Sequence, residues 1–133
     1  DFLCGVIEGY YGRPWSFNQR RNLFEYCLRF GLNSYVYAPK DDLKHRSRWR
    51  ELYSSDESTE LNRLIEFSKQ YGIHFIYALS PGLDLIYSSE KDFDLLKRKF
   101  DQLSTIWVVN LGQFYSMISN GNYHHKIKII FHP

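Results

Sequence analysis

The sequence predicts an α/β fold with a parallel sheet. Short apolar runs alternate with amphipathic helical patterns, the alternation repeats three times within residues 2–104, and Gly or Pro punctuates the elements. Composition agrees with a folded domain. The 133 residues fit one domain on length, 44% of them are hydrophobic, and the net charge is +2. Such a mixture speaks against disorder, a collagen-like repeat or a polybasic nucleic-acid tail, so no nucleic-acid partner is expected. The apolar runs fall far short of the ~20 residues of a membrane helix, so no membrane partner is expected either. No secretory pattern opens the chain, and its first residue is Asp1 rather than Met, which points to a fragment. Cys4 and Cys27 are too few for a disulfide framework and read as buried free thiols in a reducing compartment.

The first unit opens with the apolar run Phe2 to Ile7, which stops at Glu8-Gly9. Ser16 with Gln19 three residues on makes a capping box, so a helix begins there, with Leu23, Phe24, Cys27 and Leu28 on its buried face and Gly31 behind it. The second strand runs from Leu32 to Ala38 and breaks at Pro39; Trp49 to Tyr53 suggests a helical turn. A clearer helix follows from about Ser58 to Tyr71, with Leu61, Leu64, Ile65 and Ser68 in register. The third strand, Ile73 to Leu79, breaks at Pro81-Gly82, and its helix starts near Ser89 with Phe93, Leu96, Phe100 and Leu103 on the buried stripe. From about Thr105 the pattern fades. Ile106 to Leu111 suggests a fourth strand, no Asp or Glu occurs after Asp101, and the ending reads as a frame or splice error, a truncation, or a divergent real segment.

Two closures suit such units. A doubly wound sheet usually carries a glycine-rich phosphate loop after its first strand. Here that loop is Glu8-Gly9-Tyr10-Tyr11-Gly12-Arg13-Pro14-Trp15, whose aromatics and proline suit a pyrophosphate poorly. The other closure is a (β/α)₈ barrel of ~250 residues, of which only three units are present. In a barrel, Val6, Val36 and Ile76, or their strand neighbours, point into the interior.

Function in barrels sits on the loops after the strands. Three loops stand out: Gly5-Val6-Ile7-Glu8-Gly9-Tyr10-Tyr11-Gly12-Arg13-Pro14-Trp15, then Tyr37-Ala38-Pro39-Lys40-Asp41-Asp42 with Lys44-His45-Arg46 and Trp49-Arg50, then Tyr77-Ala78-Leu79-Ser80-Pro81-Gly82-Leu83-Asp84. In this order and spacing they resemble family 84 glycoside hydrolases, and most closely the animal nucleocytoplasmic O-GlcNAcase branch. The resemblance runs from Phe2 to about Ser104, including Lys97-Arg98-Lys99 and Asp101-Gln102. It makes residues 1–104 the N-terminal part of the catalytic domain and leaves 105–133 as a divergent tail. It implies the first three βα units of a (β/α)₈ TIM barrel, possessing no cofactor. It implies an enzyme by family, a β-N-acetylglucosaminidase acting on Ser/Thr O-GlcNAc of proteins, cytoplasmic and nuclear. The family mechanism is retaining and substrate-assisted: the substrate's acetamido oxygen attacks the anomeric carbon, and two adjacent aspartates after the fourth strand orient the acetamide and act as general acid and base.

Two sugar-binding positions carry over from the resemblance. Gly9 matches a glycine whose carbonyl accepts from a sugar hydroxyl, and Lys40 matches a lysine that donates to sugar hydroxyls. No catalytic residue carries over. Where the aspartate pair belongs stand Phe114-Tyr115-Ser116-Met117, without a carboxylate. Asp41-Asp42 is the only adjacent pair of aspartates, but consecutive loop residues tend to point apart; it is expected to support the loop through Lys44, Arg46 or Arg50. His124, His125 and His132 lack companion Cys or carboxylate ligands and make no metal site. Glu8 either faces the site or pairs with Arg13. The leading expectation is therefore an incomplete glycosidase chain, inactive alone. The alternatives are a non-catalytic paralogue or interaction fragment with part of a sugar cleft, and a free-standing α/β binding module, which would leave sheet edges unpaired.

Overall fold

A computed structural model describes residues 2–81 and 84–106. In chain order it contains β1 (Gly5–Glu8), α1 (Phe17–Arg29), β2 (Ser34–Tyr37), a 3₁₀ turn (Leu43–His45), α2 (Ser55–Gln70), β3 (His74–Tyr77) and α3 (Glu90–Ile106). The strands form one parallel sheet in the order β1-β2-β3. The α/β class and parallel pairing expected from the sequence are present.

Local chemistry sets the helix ends. Ser16 caps α1 and exchanges hydrogen bonds with Gln19, and Ser54 does the same for α2 with Glu57. Both helices end alike. Leu32 N bonds the Cys27 carbonyl and Ile73 N bonds the Ser68 carbonyl, closing the turn around Gly31 and Gly72, whose φ values are 70° and 65°. A side chain at such φ is strained, so glycine stands there, and each turn delivers the chain directly into the next strand.

The sheet's two faces differ. Register aligns Val6 with Tyr35 and Phe75, and Glu8 with Tyr37 and Tyr77; this face meets the helices. Phe24 and Cys27 of α1, Leu61, Leu64 and Ile65 of α2, and Leu103 and Ile106 of α3 complete that core. Phe24 meets Tyr35 edge-on, with centroids 5.1 Å apart. On the opposite face Ile7, Val36 and Ile76 lie in one row. The expected interior row thus holds Ile7 rather than Val6, because a strand alternates its side chains and Val6 shares the face of Glu8 and Tyr35. Ile7 is 65% exposed.

Several expectations are corrected. Leu28 and Phe93 are exposed although the helical period placed them on buried stripes; on α3 the stem of Lys99 and Asp92 are buried instead. Cys4 is exposed, whereas Cys27 is buried as expected. Residues 49–51 form a turn and a bend and 52–53 are irregular, and a helical turn lies earlier, at Leu43–His45. Ile106 ends α3 and does not begin a strand. The rest of the expected fourth strand, Phe114 to Met117 and the tail histidines lie outside the described residues.

Candidate functional site

The loops that follow the three strands meet at the carboxyl end of the sheet. Parallel pairing continues past the strands: Ala38 N bonds Glu8 O at 3.0 Å, Lys40 N bonds Tyr10 O at 3.4 Å, and Ala78 N bonds Tyr37 O at 3.0 Å. Gly9 therefore lies between the two bonds that tie the β1 loop to the β2 loop, and Lys40 sits at the outer bond. Both residues are half-buried. A Cβ at Gly9 would lie 3.3 Å from the Cγ2 of Ile7, a tight contact against a side-chain end that can move. Gly9 is thus not required by backbone strain. Its lack of a side chain leaves the peptide open on the face of Ile7.

Glu8 takes neither expected role. Its side chain is wholly buried and receives Arg20 Nε and Nη2, each at 2.8 Å, together with Trp15 N at 3.2 Å and the Tyr35 hydroxyl. It faces the helices because it shares their side of the sheet, so Arg20 on the first turns of α1 reaches it and Arg13 does not pair with it. Burial, and then the Glu8 charge, push the Tyr35 hydroxyl far above its ordinary pKa, so it stays protonated and donates. Through Trp15 N the carboxylate also fixes the far end of the loop that carries Gly9.

The acid pair splits. Asp41 is exposed, whereas Asp42 accepts from the hydroxyls of Tyr37 and Tyr53, each at 2.7 Å, and from Lys44 N at 3.0 Å. The hydroxyls of Tyr53 and Tyr77 are 2.8 Å apart. Burial raises the pKa values of these three tyrosines, so they act as neutral donors around one carboxylate. The expected side-chain partners of the pair are engaged elsewhere. Lys44 reaches Glu57, Arg46 reaches the Tyr11 hydroxyl, and Arg50 joins Asp84 and Asp92; only the backbone of Lys44 meets Asp42. Asp42 thus supports its loop, as expected, through tyrosines rather than cations.

Three further groups hold the loops, in roles that sequence reasoning did not assign to them. Wholly buried His45 bridges the β2 and β3 loops: Nδ1 lies 3.0 Å from the Ala78 carbonyl, and Ser80 N donates to the His45 carbonyl at 2.8 Å. Arg50 stacks on Trp49, whose Nε1 donates to Asp84 at 2.9 Å. Lys99 of α3 crosses the core to donate to the Glu51 carbonyl at 2.6 Å with its ammonium 4.1 Å from the centre of the Tyr53 ring. Burial pushes the Lys99 pKa down to about 8. Each of these residues stands in a motif quoted above, but only pairing across loops reveals its work.

A cleft of about 430 Å³ opens on the helix side, lined by Phe17, Arg20, Tyr37, Asp42, Lys44 and Glu57 among others. Neither Gly9 nor Lys40 lines it. Its cations already have anionic partners, Arg20 in Glu8 and Lys44 in Glu57, so it offers little to a charged ligand. Among the described residues no group of His, Cys, Asp and Glu is placed to hold a metal ion, and no helix is long and apolar enough to cross a membrane.

Comparison with known proteins shows what the chain is similar to. A family model for beta-N-acetylglucosaminidase matches residues 4–128. The chain is 55% identical over 103 residues to Protein O-GlcNAcase of Rattus norvegicus, a match that covers 77% of this chain and 11% of that protein. Among solved structures, a mutant O-GlcNAc hydrolase of Thermobaculum terrenum superposes with a TM-score of 0.75 at 43% identity, covering 80% of this chain and 23% of that one. CpGH84B superposes with a TM-score of 0.73 at 36% identity, covering 78% of this chain and 19% of that one. The chain spans about a tenth of the length of the rat relative.

Proposed function

The chain belongs to the beta-N-acetylglucosaminidase family, and we propose that it supplies the first part of a glycosidase sugar site that removes β-linked N-acetylglucosamine from Ser and Thr of proteins. The observation that carries this reading is the join between the first two loops. Lys40 N–Tyr10 O and Ala38 N–Glu8 O tie the loop that carries Gly9 to the loop that carries Lys40 at the carboxyl end of a parallel sheet. Active sites of barrels built from such units lie at that end. In this reading the Gly9 carbonyl accepts from one sugar hydroxyl, while the Lys40 ammonium, a flexible donor of three hydrogen bonds, holds others. The partners are O-GlcNAc-modified proteins of the cytoplasm and nucleus.

The described units form the opening of a (β/α)₈ barrel. The apolar row Ile7, Val36 and Ile76, on the face away from the helices and exposed at Ile7, supports this, since such a row fills the interior of a closed barrel. Residues 1–104 form the family part and 105–133 a tail of different character, as the absence of any carboxylate after Asp101 suggests, although the family model runs on to residue 128. The reaction is retaining and substrate-assisted, with the acetamide as nucleophile and a carboxylate pair as orienter and acid–base. Gly9 and Lys40 bind, and no carboxylate follows Asp101 to supply that pair, so the polypeptide alone is inactive. A second reading, a non-catalytic fragment that keeps part of a sugar cleft, is favoured by that same lack of carboxylates after Asp101.

A hybrid enzyme tests the proposal. Residues 2–104 replace the matching segment of rat Protein O-GlcNAcase, and turnover of an aryl N-acetyl-β-glucosaminide is measured. The proposal expects kcat/KM within about tenfold of the parent, a loss of roughly 1.4 kcal/mol or less. A folded hybrid without turnover overturns it and leaves the fragment reading.

A further inference from the structure

We infer that His45 is a positioning residue for Lys40: its imidazole locks the end of the β2 loop onto the β3 loop and so fixes the backbone from which Lys40 reaches. The inference rests on the sugar-site reading of Lys40. His45 ends the single 3₁₀ turn, which Asp42 opens by accepting from Lys44 N. It is wholly buried although it stands between Lys44 and Arg46 in the sequence. Two bonds join it to the segment after β3, one from ring to Ala78 carbonyl and one from Ser80 N to its own carbonyl. A two-point attachment of this kind fixes both the position and the rotation of the turn.

The chemistry of the ring narrows its role. A carbonyl only accepts, so the nitrogen facing Ala78, Nδ1, carries the proton. Nε2 then holds a lone pair, and among the described residues it has no hydrogen-bond partner although it is buried. A buried polar atom without a partner costs stability, so it needs a reason. A second proton would bury a charge on that unpaired nitrogen, and burial accordingly pulls the ring pKa below its ordinary value. The neutral imidazole is therefore the resting form. Backbone bonds run from His45 back to the peptide that carries Lys40: His45 N donates to the Asp42 carbonyl at 3.3 Å, and Asp42 N donates to the Pro39 carbonyl at 3.0 Å. Lys40 reaches its place through Pro39, whose fixed φ leaves few ways to turn there. Anchoring the segment on both sides, at Tyr10 by Lys40 N and at Ala78 by His45, holds the backbone from which the Lys40 ammonium reaches.

A core histidine with no link to the site would show a different pattern under substitution. The Asn amide nitrogen overlays Nδ1 and keeps the donor to Ala78; the Gln amide lies one carbon further and loses it. In the hybrid enzyme, His45→Gln raises KM for the aryl glycoside about tenfold, the worth of roughly one good hydrogen bond, with kcat within about twofold. His45→Asn returns KM to within about threefold of the parent. Lys40→Ala raises KM, and adding His45→Gln to it raises KM by no more than about twofold further, because residues acting through one contact are not additive.

The outcomes separate cleanly. An unsubstituted hybrid that folds but is inactive overturns the function reading, and this inference with it. An active hybrid in which the Asn and Gln variants behave alike, in which kcat falls with KM unchanged, or in which the Lys40 and His45 effects multiply in full overturns the inference alone. A Gln variant that fails to fold beside a normal Asn variant marks a lock on the fold rather than on Lys40, and overturns it too.

Discussion

Removing the Glu8 carboxylate should destabilise the fold far more than it harms the chemistry. Glu8 is wholly buried and holds Arg20 through two 2.8 Å bonds, while its partner's side chain is only 12% exposed. Arginine cannot shed its charge, so Glu8→Ala leaves a guanidinium in the core edge above the Tyr37 ring with nothing to balance it. Breaking one member of a buried pair typically costs about 3–5 kcal/mol, a large share of a ~5–15 kcal/mol folding margin. Trp15 N and the Tyr35 hydroxyl lose their acceptor as well. In the hybrid enzyme, with a urea slope of about 2–3 kcal/mol per M, the midpoint of activity loss falls by roughly 1–2 M. Replacing both members, Glu8→Leu with Arg20→Met, recovers most of that loss because no lone charge remains buried. Without urea, kcat of Glu8→Ala stays within about threefold of the parent, since Glu8 faces the helices. A midpoint unchanged within about 0.3 M, or a double variant worse than the single one, would refute the assignment.

Other perturbations probe the remaining contacts. Gly5→Ala puts a Cβ 1.7 Å from the Ser34 carbonyl oxygen, so the hybrid should not be recovered soluble, whereas Gly9→Ala, with its nearest contact at 3.3 Å, should fold; circular dichroism compares them. Burial raises the pKa values of Tyr35, Tyr37, Tyr53 and Tyr77 above 10.0, so the stability they contribute is complete below pH 10 and is lost above it, by about 1.4 kcal/mol per pH unit for each tyrosine. Lys99 has the opposite sign: its pKa falls from 10.5 to about 8, the unfolded chain binds the extra proton, and stability rises between those values. Urea midpoints against pH should therefore climb gently from pH 8 and fall steeply above 10, and Lys99→Met should remove only the climb. The 133-residue chain alone should be molten or aggregated and without hexosaminidase activity, since Ile7 and Phe93 are 65% and 68% exposed; a sharp thermal transition of a soluble monomer would contradict this.

Much of the fold was legible because local signals agreed with one another. The Ser16–Gln19 box and the apolar register of Leu61, Leu64, Ile65 and Ser68 sit where the sequence places them. The start of α2 came out late because several serines compete for the cap, and Glu57 answers Ser54 rather than any later one. Leu28 and Phe93 satisfy the helical period yet lie outside the shared core, which periodicity alone does not show. The site was less legible. Gly9 and Lys40 rest on motif resemblance, and the joining of their two loops follows from parallel pairing. The supporting groups were hidden because each bond spans a long separation: 12 residues from Glu8 to Arg20, 33 from His45 to Ala78 and 48 from Glu51 to Lys99. No pattern within one element encodes such contacts.

The most direct test of the sugar site is the Lys40→Ala substitution in the hybrid enzyme, read as KM and kcat separately. Lys40 holds hydroxyls remote from the reacting carbon, so the site predicts a KM raised about tenfold or more with kcat kept within about threefold. An unchanged KM, or a loss confined to kcat, would contradict the placement of Lys40 in the sugar site.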